Sequence, residues 1–413
     1  MRAPITTNRT FGMLSTFPPT ACGIATYAAA LSAGLVTHGA AVDVVRCGST
    51  PRLEDPLVVA ALGRGTDAEV NAAVVALNAT DVVIVQHEYG IYDGCYGDTV
   101  LGLMAAIDVP IVLIAHTVVS DPTPGQRSVL EHACALADVV VVMTDTARRR
   151  LLAGFSVDGD SVIVIPHGAA TPPVSTQPTA GPASGLTSGP TAGPNSGITS
   201  GSAAGPTNRS HRRPRILTWG LLGPGKGIEW AIDAFAELGD IHPAPTYTIA
   251  GATHPKVRER SGEAYREMLV DRAERSGAGS SVSFDDSYRD LESLTELIRS
   301  ADLVVLPYDS ADQVTSGVLV DAVAAGCPVV STAFPHAVEL LASGAGIVVP
   351  QRDPVALAVA IRAVLTDDDL RRAMAAEARR LAPDLSWAAV AGRYDSLGAR
   401  LMADRSVQRP VAS

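Results

Sequence analysis

Two short stretches of the chain carry residue types that handle anions. Gly220-Leu-Leu-Gly-Pro-Gly225-Lys226-Gly227 follows an apolar run, precedes a helix-forming one and fits G-x-x-x-x-G-K. Backbone N–H groups at a helix start, with one lysine beside them, make a site for a phosphate. A phosphate-binding loop that hydrolyses nucleotides needs Ser or Thr after the lysine to hold Mg²⁺, and Gly227 has no side chain to do so. That disfavours a P-loop nucleotide hydrolase; an ordinary exposed lysine beside a tight turn is the plain alternative. The second stretch runs from Gln313 through Ser316 and Gly317 to Asp321, then Ala-Val-Ala-Ala-Gly326-Cys-Pro328. Ser316 and Gly317 can open a helix whose free N–H groups again face an anion, and Asp321, just over one turn on, can accept from the hydroxyls of a ribose. Gly326 ends that helix and Pro328 starts the next strand.

The elements that must position these residues read as a repeated strand and helix rhythm. Unbroken apolar runs at 41–47, 81–87, 109–117, 138–144 and 161–166 alternate with Ala-rich helical stretches, and the rhythm returns at 215–222, 246–252, 281–284, 302–308, 328–332 and 346–350. Such runs suit strands buried on both faces of a parallel sheet. Intervening segments such as 227–238 and 291–300 read as helices. The prediction is an α/β fold of two Rossmann-like doubly wound domains, with ligands bound beyond the carboxyl ends of the strands. Residues 169–213 are nearly all Gly, Pro, Ser, Thr and Ala and have nothing to bury, which predicts a disordered linker. It separates a first domain over 1–168 from a second over 214–382, followed by a C-terminal segment over 383–413.

Composition narrows the function classes. The chain of 413 residues holds 32 Lys+Arg against 43 Asp+Glu, a net charge of −11, which argues against a nucleic-acid or anionic-membrane binder. At about 150 residues per domain the length suggests two to three domains. Aromatic residues are only 4%, which favours helix-on-sheet packing over an aromatic-rich all-β sandwich. Cys22, Cys47, Cys95, Cys134 and Cys327 form no C-x-x-C pair and are odd in number, which fits a reducing cytoplasm. No stretch approaches the roughly 18 apolar residues of a membrane span, so a soluble cytoplasmic protein is expected.

The spacing Gln313-x7-Asp321, followed by Ala-Val-Ala-Ala-Gly-Cys-Pro-Val-Val, resembles the E-x7-E motif of the family 4 retaining glycosyltransferases with the GT-B fold. The resemblance extends through Thr16-Phe-Pro-Pro-Thr-Ala-Cys22-Gly23-Ile-Ala-Thr26, Ile165-Pro-His167-Gly168, Gly220 to Gly227, Ala250-Gly251 and Leu385-Ser-Trp387, and so covers nearly the whole chain outside the linker. It implies two domains facing across a cleft, with the C-terminal helix that contains Trp387 packing back on the first domain. It also implies that Gly23, with its neighbours Cys22 and Ile24, offers backbone N–H groups to the donor phosphates. In the same way Gly225 and Lys226 bind the donor pyrophosphate, the helix start at Ser316, Gly317 and Val318 supports it, Asp321 binds the ribose and Gln313 contacts the transferred sugar. Both Gln313 and Asp321 stand where the family has glutamate, and Leu221 stands where it has a second cation, for which Lys256 or Arg289 could substitute.

In the first domain Gln86-His87-Glu88-Tyr89-Gly90 and Ala115-His116-Thr117 sit just past strand ends, where an acceptor would meet the donor. The resemblance gives His116 a place at the reacting centre, and His87, Glu88 and Tyr89 are the expected acceptor residues. Either histidine could instead cap its strand through backbone bonds; His87 with Glu88 lacks a third ligand at metal spacing. His167 and His254-Pro-Lys256 read mainly as hinge and loop structure, with Thr253 to Lys256 a further donor contact. The resemblance implies no metal or other cofactor. The expected partners are a nucleotide-sugar donor, GDP-mannose or UDP-glucose, and a hydroxyl acceptor such as a saccharide or glycolipid. Catalytic roles fall to His116, Lys226 and Gln313. The rival classes are the P-loop-like hydrolase and a non-catalytic sugar or nucleotide binding protein.

Overall fold

The apolar runs assemble into two all-parallel sheets. In the computed structural model, which describes residues 9–20, 22–48, 55–63, 65–169, 212–287, 289 and 291–408, the first sheet contains β1 (Thr10–Ser15), β2 (Ala41–Cys47), β3 (Val58–Leu62), β4 (Val82–His87), β5 (Ile111–Ala115), β6 (Val139–Val142) and β7 (Val162–Val164). Their order is β3-β2-β1-β4-β5-β6-β7. The second contains β8 (Arg215–Trp219), β9 (Thr246–Ala250), β10 (Val282–Asp285), β11 (Leu303–Leu306), β12 (Val329–Thr332) and β13 (Gly346–Val349), ordered β10-β9-β8-β11-β12-β13. The order reverses between β1 and β4 in the first sheet and between β8 and β11 in the second. A crevice opens beyond the strand ends at such a reversal, which is where a ligand site is expected.

The strand inventory expected from apolar runs lacks β1 and β3. Thr10-Phe-Gly-Met-Leu-Ser15 breaks its apolar pattern at Gly12, yet β1 is central and buried from Phe11 onward. A Cβ at Gly12 would meet Thr80 Oγ1 at 2.9 Å and Leu77 at 3.0 Å. The residue that hides the strand in sequence is therefore the one that lets the Asp67–Asn78 helix close down on it. β3 is a short edge strand, where a long buried run is not required.

Of the expected linker over 169–213, residues 170–211 lie outside the described residues. The chain crosses between the domains again at 382–387, and the two crossings touch: Ala169 N–H donates to Leu385 O at 2.6 Å. The Trp387–Gln408 helix then lies on the Gly23–Thr37 helix of the first domain. Val390, Ala391, Tyr394 and Leu397 are buried there in one apolar cluster with Phe11, Tyr27, Leu31 and Leu35. The Tyr394 and Tyr27 hydroxyls are 3.0 Å apart, and Arg9 holds Asp395 at 2.7 Å.

Two carboxylates of the second domain bind the first directly. Asp312 Oδ1 accepts from Ser120 N–H (2.9 Å), the Ser120 hydroxyl (2.7 Å) and Arg150 Nη1 (3.1 Å). Glu339 accepts from the N–H groups of Asp145 and Thr146, each at 2.8 Å, and so caps the N-terminus of the Asp145–Gly154 helix, where negative charge is favoured. Thr144 Oγ1 donates to Val314 O at 3.1 Å. The loop between β11 and the Gly317–Ala324 helix is thus bolted to the opposite domain on both sides of Gln313.

Candidate active site

A cleft of about 830 Å³ opens where the two reversal points face each other. On the first domain's wall, Cys22 caps the Gly23–Thr37 helix: its Sγ accepts from Ala25 N–H at 3.4 Å and lies 3.3 Å from Thr16 Oγ1. Thr26 N–H is taken by Cys22 O. This leaves the first two N–H groups of the helix, those of Gly23 and Ile24, and both residues line the cleft. A Cβ at Gly23 would meet no atom within 4 Å, so the backbone is open to a ligand.

The second domain mirrors this arrangement. Ser316 Oγ accepts from Leu319 N–H at 3.3 Å and caps the Gly317–Ala324 helix. Gly317, Val318 and half-buried Asp321 line the cleft, while Ser316, expected among the donor-binding residues, is buried behind the wall. Its N–H is consumed by His336 Nδ1 at 2.8 Å. Gln313 reaches the wall, with its amide donating to Thr315 O. His167 is also in the lining, and a Cβ at Gly317 would stand 2.9 Å from its ring.

Gly225 and Lys226 are not part of the wall. The Lys226 ammonium rests over the Tyr308 ring, 4.3 Å from its centroid, and burial lowers its pKa. Its field still reaches the cleft: His254, on the rim, is held below its ordinary range by burial first and then by Lys256, Lys226 and Arg260. Gly227 has φ +62°, and a Cβ there would run into the Pro307 carbonyl oxygen. A hydroxyl-bearing residue for Mg²⁺ therefore cannot be accommodated. Gly227→Ser is expected to cost about 3 kcal/mol or more in urea unfolding and to create no Mg²⁺-dependent nucleotide hydrolysis. A variant as stable as the parent would contradict the close packing of Gly227 on Pro307.

Of the first domain's polar residues, His116 and Glu88 reach the cleft, whereas His87 and Tyr89 do not. His87 ends a central strand flanked by β1 and β5, so its ring is interior, 5.2 Å from that of Tyr89, and both its nitrogens lack a protein partner. Glu88 accepts from the Thr117 hydroxyl and from Tyr89 N–H (2.9 Å); burial raises its pKa, opposed by these bonds and by Lys256. His116 Nε2 bonds Gln86 Oε1, an acceptor, so the ring proton sits on Nε2 and leaves Nδ1 as an acceptor.

Tyr27 and Trp387 belong to the site without having been singled out for it. The Tyr27 ring stands edge-on to His116 (4.9 Å), His167 (5.0 Å) and Trp387 (4.9 Å), and all four line the cleft. The available signal was Tyr27's place one turn into the helix that Gly23 opens. Burial brings His116 down to about 3, assisted by His167 and His87; His336 to about 3, assisted by His167; and His167 and His87 each to about 4. In the unfolded chain such rings take a proton near 6.5, so between about 6.5 and 4 the unfolded state binds more protons. Stability is therefore fully present above that window and falls as pH drops through it, by on the order of 3 kcal/mol per ring. The urea midpoint at pH 5 should lie far below that at pH 7.5, and equal midpoints would contradict the neutral burial of these rings.

Among the described residues no group of three or more His, Cys, Asp or Glu is placed to hold a metal ion, and no helix is long and apolar enough to cross a membrane. Residues 21–171 match the model for Glycosyltransferase Family 4 and residues 204–381 that for Glycosyl transferases group 1. The D-inositol 3-phosphate glycosyltransferase of Corynebacterium efficiens is 31% identical over 179 residues, 43% of this chain and 41% of that protein. The glycogen synthase of Mycobacterium tuberculosis is 34% identical over 188 residues, 44% and 42%. The aligned stretches thus span about two-fifths of these relatives' length. Among solved structures, sucrose-phosphate synthase from Thermosynechococcus elongatus has a TM-score of 0.68 at 19% identity, covering 96% of this chain and 100% of that one. Anabaena HepE in complex with UDP has 0.66 at 16%, covering 95% and 100%. Two facing Rossmann-like domains give the chain the GT-B fold, and each of them is matched by its own glycosyltransferase model.

Proposed function

We propose that the protein transfers a hexose from a nucleoside-diphosphate sugar to a hydroxyl acceptor, retaining configuration at the anomeric carbon and using no bound metal. The observation that carries this reading is the convergence of two helix N-termini, at Gly23 and Gly317, on one cleft with Asp321 just over one turn inside it. In this reading the N–H groups of Gly23, Ile24, Gly317 and Val318 bind the diphosphate, and Asp321 accepts from the ribose hydroxyls. Gln313 hydrogen-bonds the transferred sugar, and neutral His116 accepts from one of its hydroxyls. Lys226 adds positive charge from behind the wall. The acceptor lies on the first domain's side, near Glu88, and is a saccharide or glycolipid.

No side chain on the wall is placed as an obvious nucleophile, so the reading assigns same-face attack. The acceptor oxygen bonds C1 as the C1–O bond to phosphate breaks, the electron pair leaves with the diphosphate, and the acceptor's proton passes to that phosphate oxygen. Glucose and mannose are the proposed sugars; the Anabaena HepE structures include one with UDP-glucose, which supports glucose as the first donor to try. Five free cysteines suit the reducing compartment in which nucleotide sugars are used, so we place the reaction in the cytoplasm. The anomeric proton coupling of the product tests the mechanism: an α product from an α-linked donor is expected, and inversion would overturn it.

A further inference from the structure

The resemblance implies a second cation where this chain has Leu221, and the cleft offers a replacement. Among the described residues Lys256 is the only lysine or arginine on the cleft wall. It stands at the second position of the Pro255–Ser261 helix, and the loop that joins β9 to this helix is laced to the Leu221 segment: Leu222 N–H donates to Ala252 O (2.9 Å) and His254 N–H to Leu222 O (2.8 Å). The segment that leads into the lysine's helix is thus held beside the one that lacks a charge. Its ammonium extends across the cleft, since a Cβ at Gly90 of the first domain would lie 3.0 Å from Nζ. Glu88 on that side feels the lysine's charge but is bonded by the Thr117 hydroxyl and Tyr89 N–H, and no ion pair joins it to Lys256 among the described residues. The other candidate, Arg289, is tied to Asp285 and lies off the wall.

We infer that Lys256 is a catalytic residue that neutralises the departing diphosphate, an inference that rests on the transferase reading above. As the C1–O bond breaks and its electron pair moves onto the phosphate oxygen, Lys256 donates a hydrogen bond to the growing charge. It stays protonated throughout, and the proton on the phosphate comes from the acceptor hydroxyl. Because that charge is larger in the transition state than in the bound donor, the contact acts on kcat more than on donor binding.

Lys256 is exposed, so Lys256→Ala should fold normally. Lys256→Ala is expected to lower kcat about a hundredfold with little change in donor KM, and Lys256→Arg to recover most of it. Arg258→Ala removes the same charge two residues away, where Arg258 pairs with Glu263, and should leave kcat unchanged. Calorimetry with inorganic pyrophosphate provides a reading independent of turnover: wild type should bind it about tenfold more tightly than Lys256→Ala. Wild-type kcat in Lys256→Ala, or equal pyrophosphate affinity, would overturn the inference. An equal loss in Arg258→Ala would also do so, by showing a diffuse field rather than a contact. A wild type that binds pyrophosphate through Lys256 yet transfers no sugar would sink the transferase reading instead.

Discussion

Replacing Asp321 with Ala is expected to weaken nucleoside-diphosphate binding by one to two orders of magnitude. The carboxylate sits just over one turn into the Gly317–Ala324 helix, half-buried on the cleft wall. Hydrogen bonds to a charged acceptor contribute about 1.5–3 kcal/mol, which converts to roughly 10- to 150-fold in affinity. A carboxylate beside a diphosphate is electrostatically unfavourable unless it meets donors, and the two ribose hydroxyls are the donors a nucleotide supplies there. Wild type should therefore prefer ribonucleoside over 2′-deoxyribonucleoside diphosphate, and Asp321→Ala should bind both alike. Equal affinities of wild type and variant for the ribonucleotide would remove Asp321 from the site.

His336→Ala should damage both the fold and the site. His336 is buried, accepts from Ser316 N–H through Nδ1, and donates its own backbone N–H to Gln313 O at 3.3 Å. With its pKa depressed to about 3 by burial, the ring stays an acceptor throughout the physiological range. Removing it strands a buried N–H, at about 1–3 kcal/mol, and leaves a cavity, so a loss of about 3 kcal/mol or more is expected. The loop that carries Gln313 then loses its inner bolt, and kcat/KM should fall 10- to 100-fold by loss of positioning. His336→Asn, whose amide oxygen can accept the same N–H, should recover part of both. Urea unfolding within 0.5 kcal/mol of wild type, or an Asn variant no better than Ala, would contradict the account.

Much of this site was legible before folding. Gly23, Gly317, Val318, Asp321 and Gln313 sit in local patterns, a helix start after a strand, and local patterns survive into the structure because they depend on near neighbours. His116 and Glu88 were legible from their place just past β5 and β4. What the sequence could not show depends on residues far apart along the chain. Lys226 looks like a free cation until Tyr308, 82 positions on, takes its ammonium. Ser316 looks like an anion-binding cap until His336 takes its N–H. His87 and Tyr89 lie in the same pentapeptide as Glu88, but alternation along β4 and its flanking strands turns His87 inward. β1 was missed because Gly12 answers to the helix packed on it, not to the strand's own pattern.

The central claim is that both domains together build a nucleoside-diphosphate site that needs no metal. Calorimetric titration of the full chain with UDP, GDP and ADP in excess EDTA tests it most directly. The account predicts that one of the three binds selectively in EDTA and that its affinity is unchanged when Mg²⁺ is restored. Binding that appears only with Mg²⁺, or no binding of any diphosphate, would contradict it.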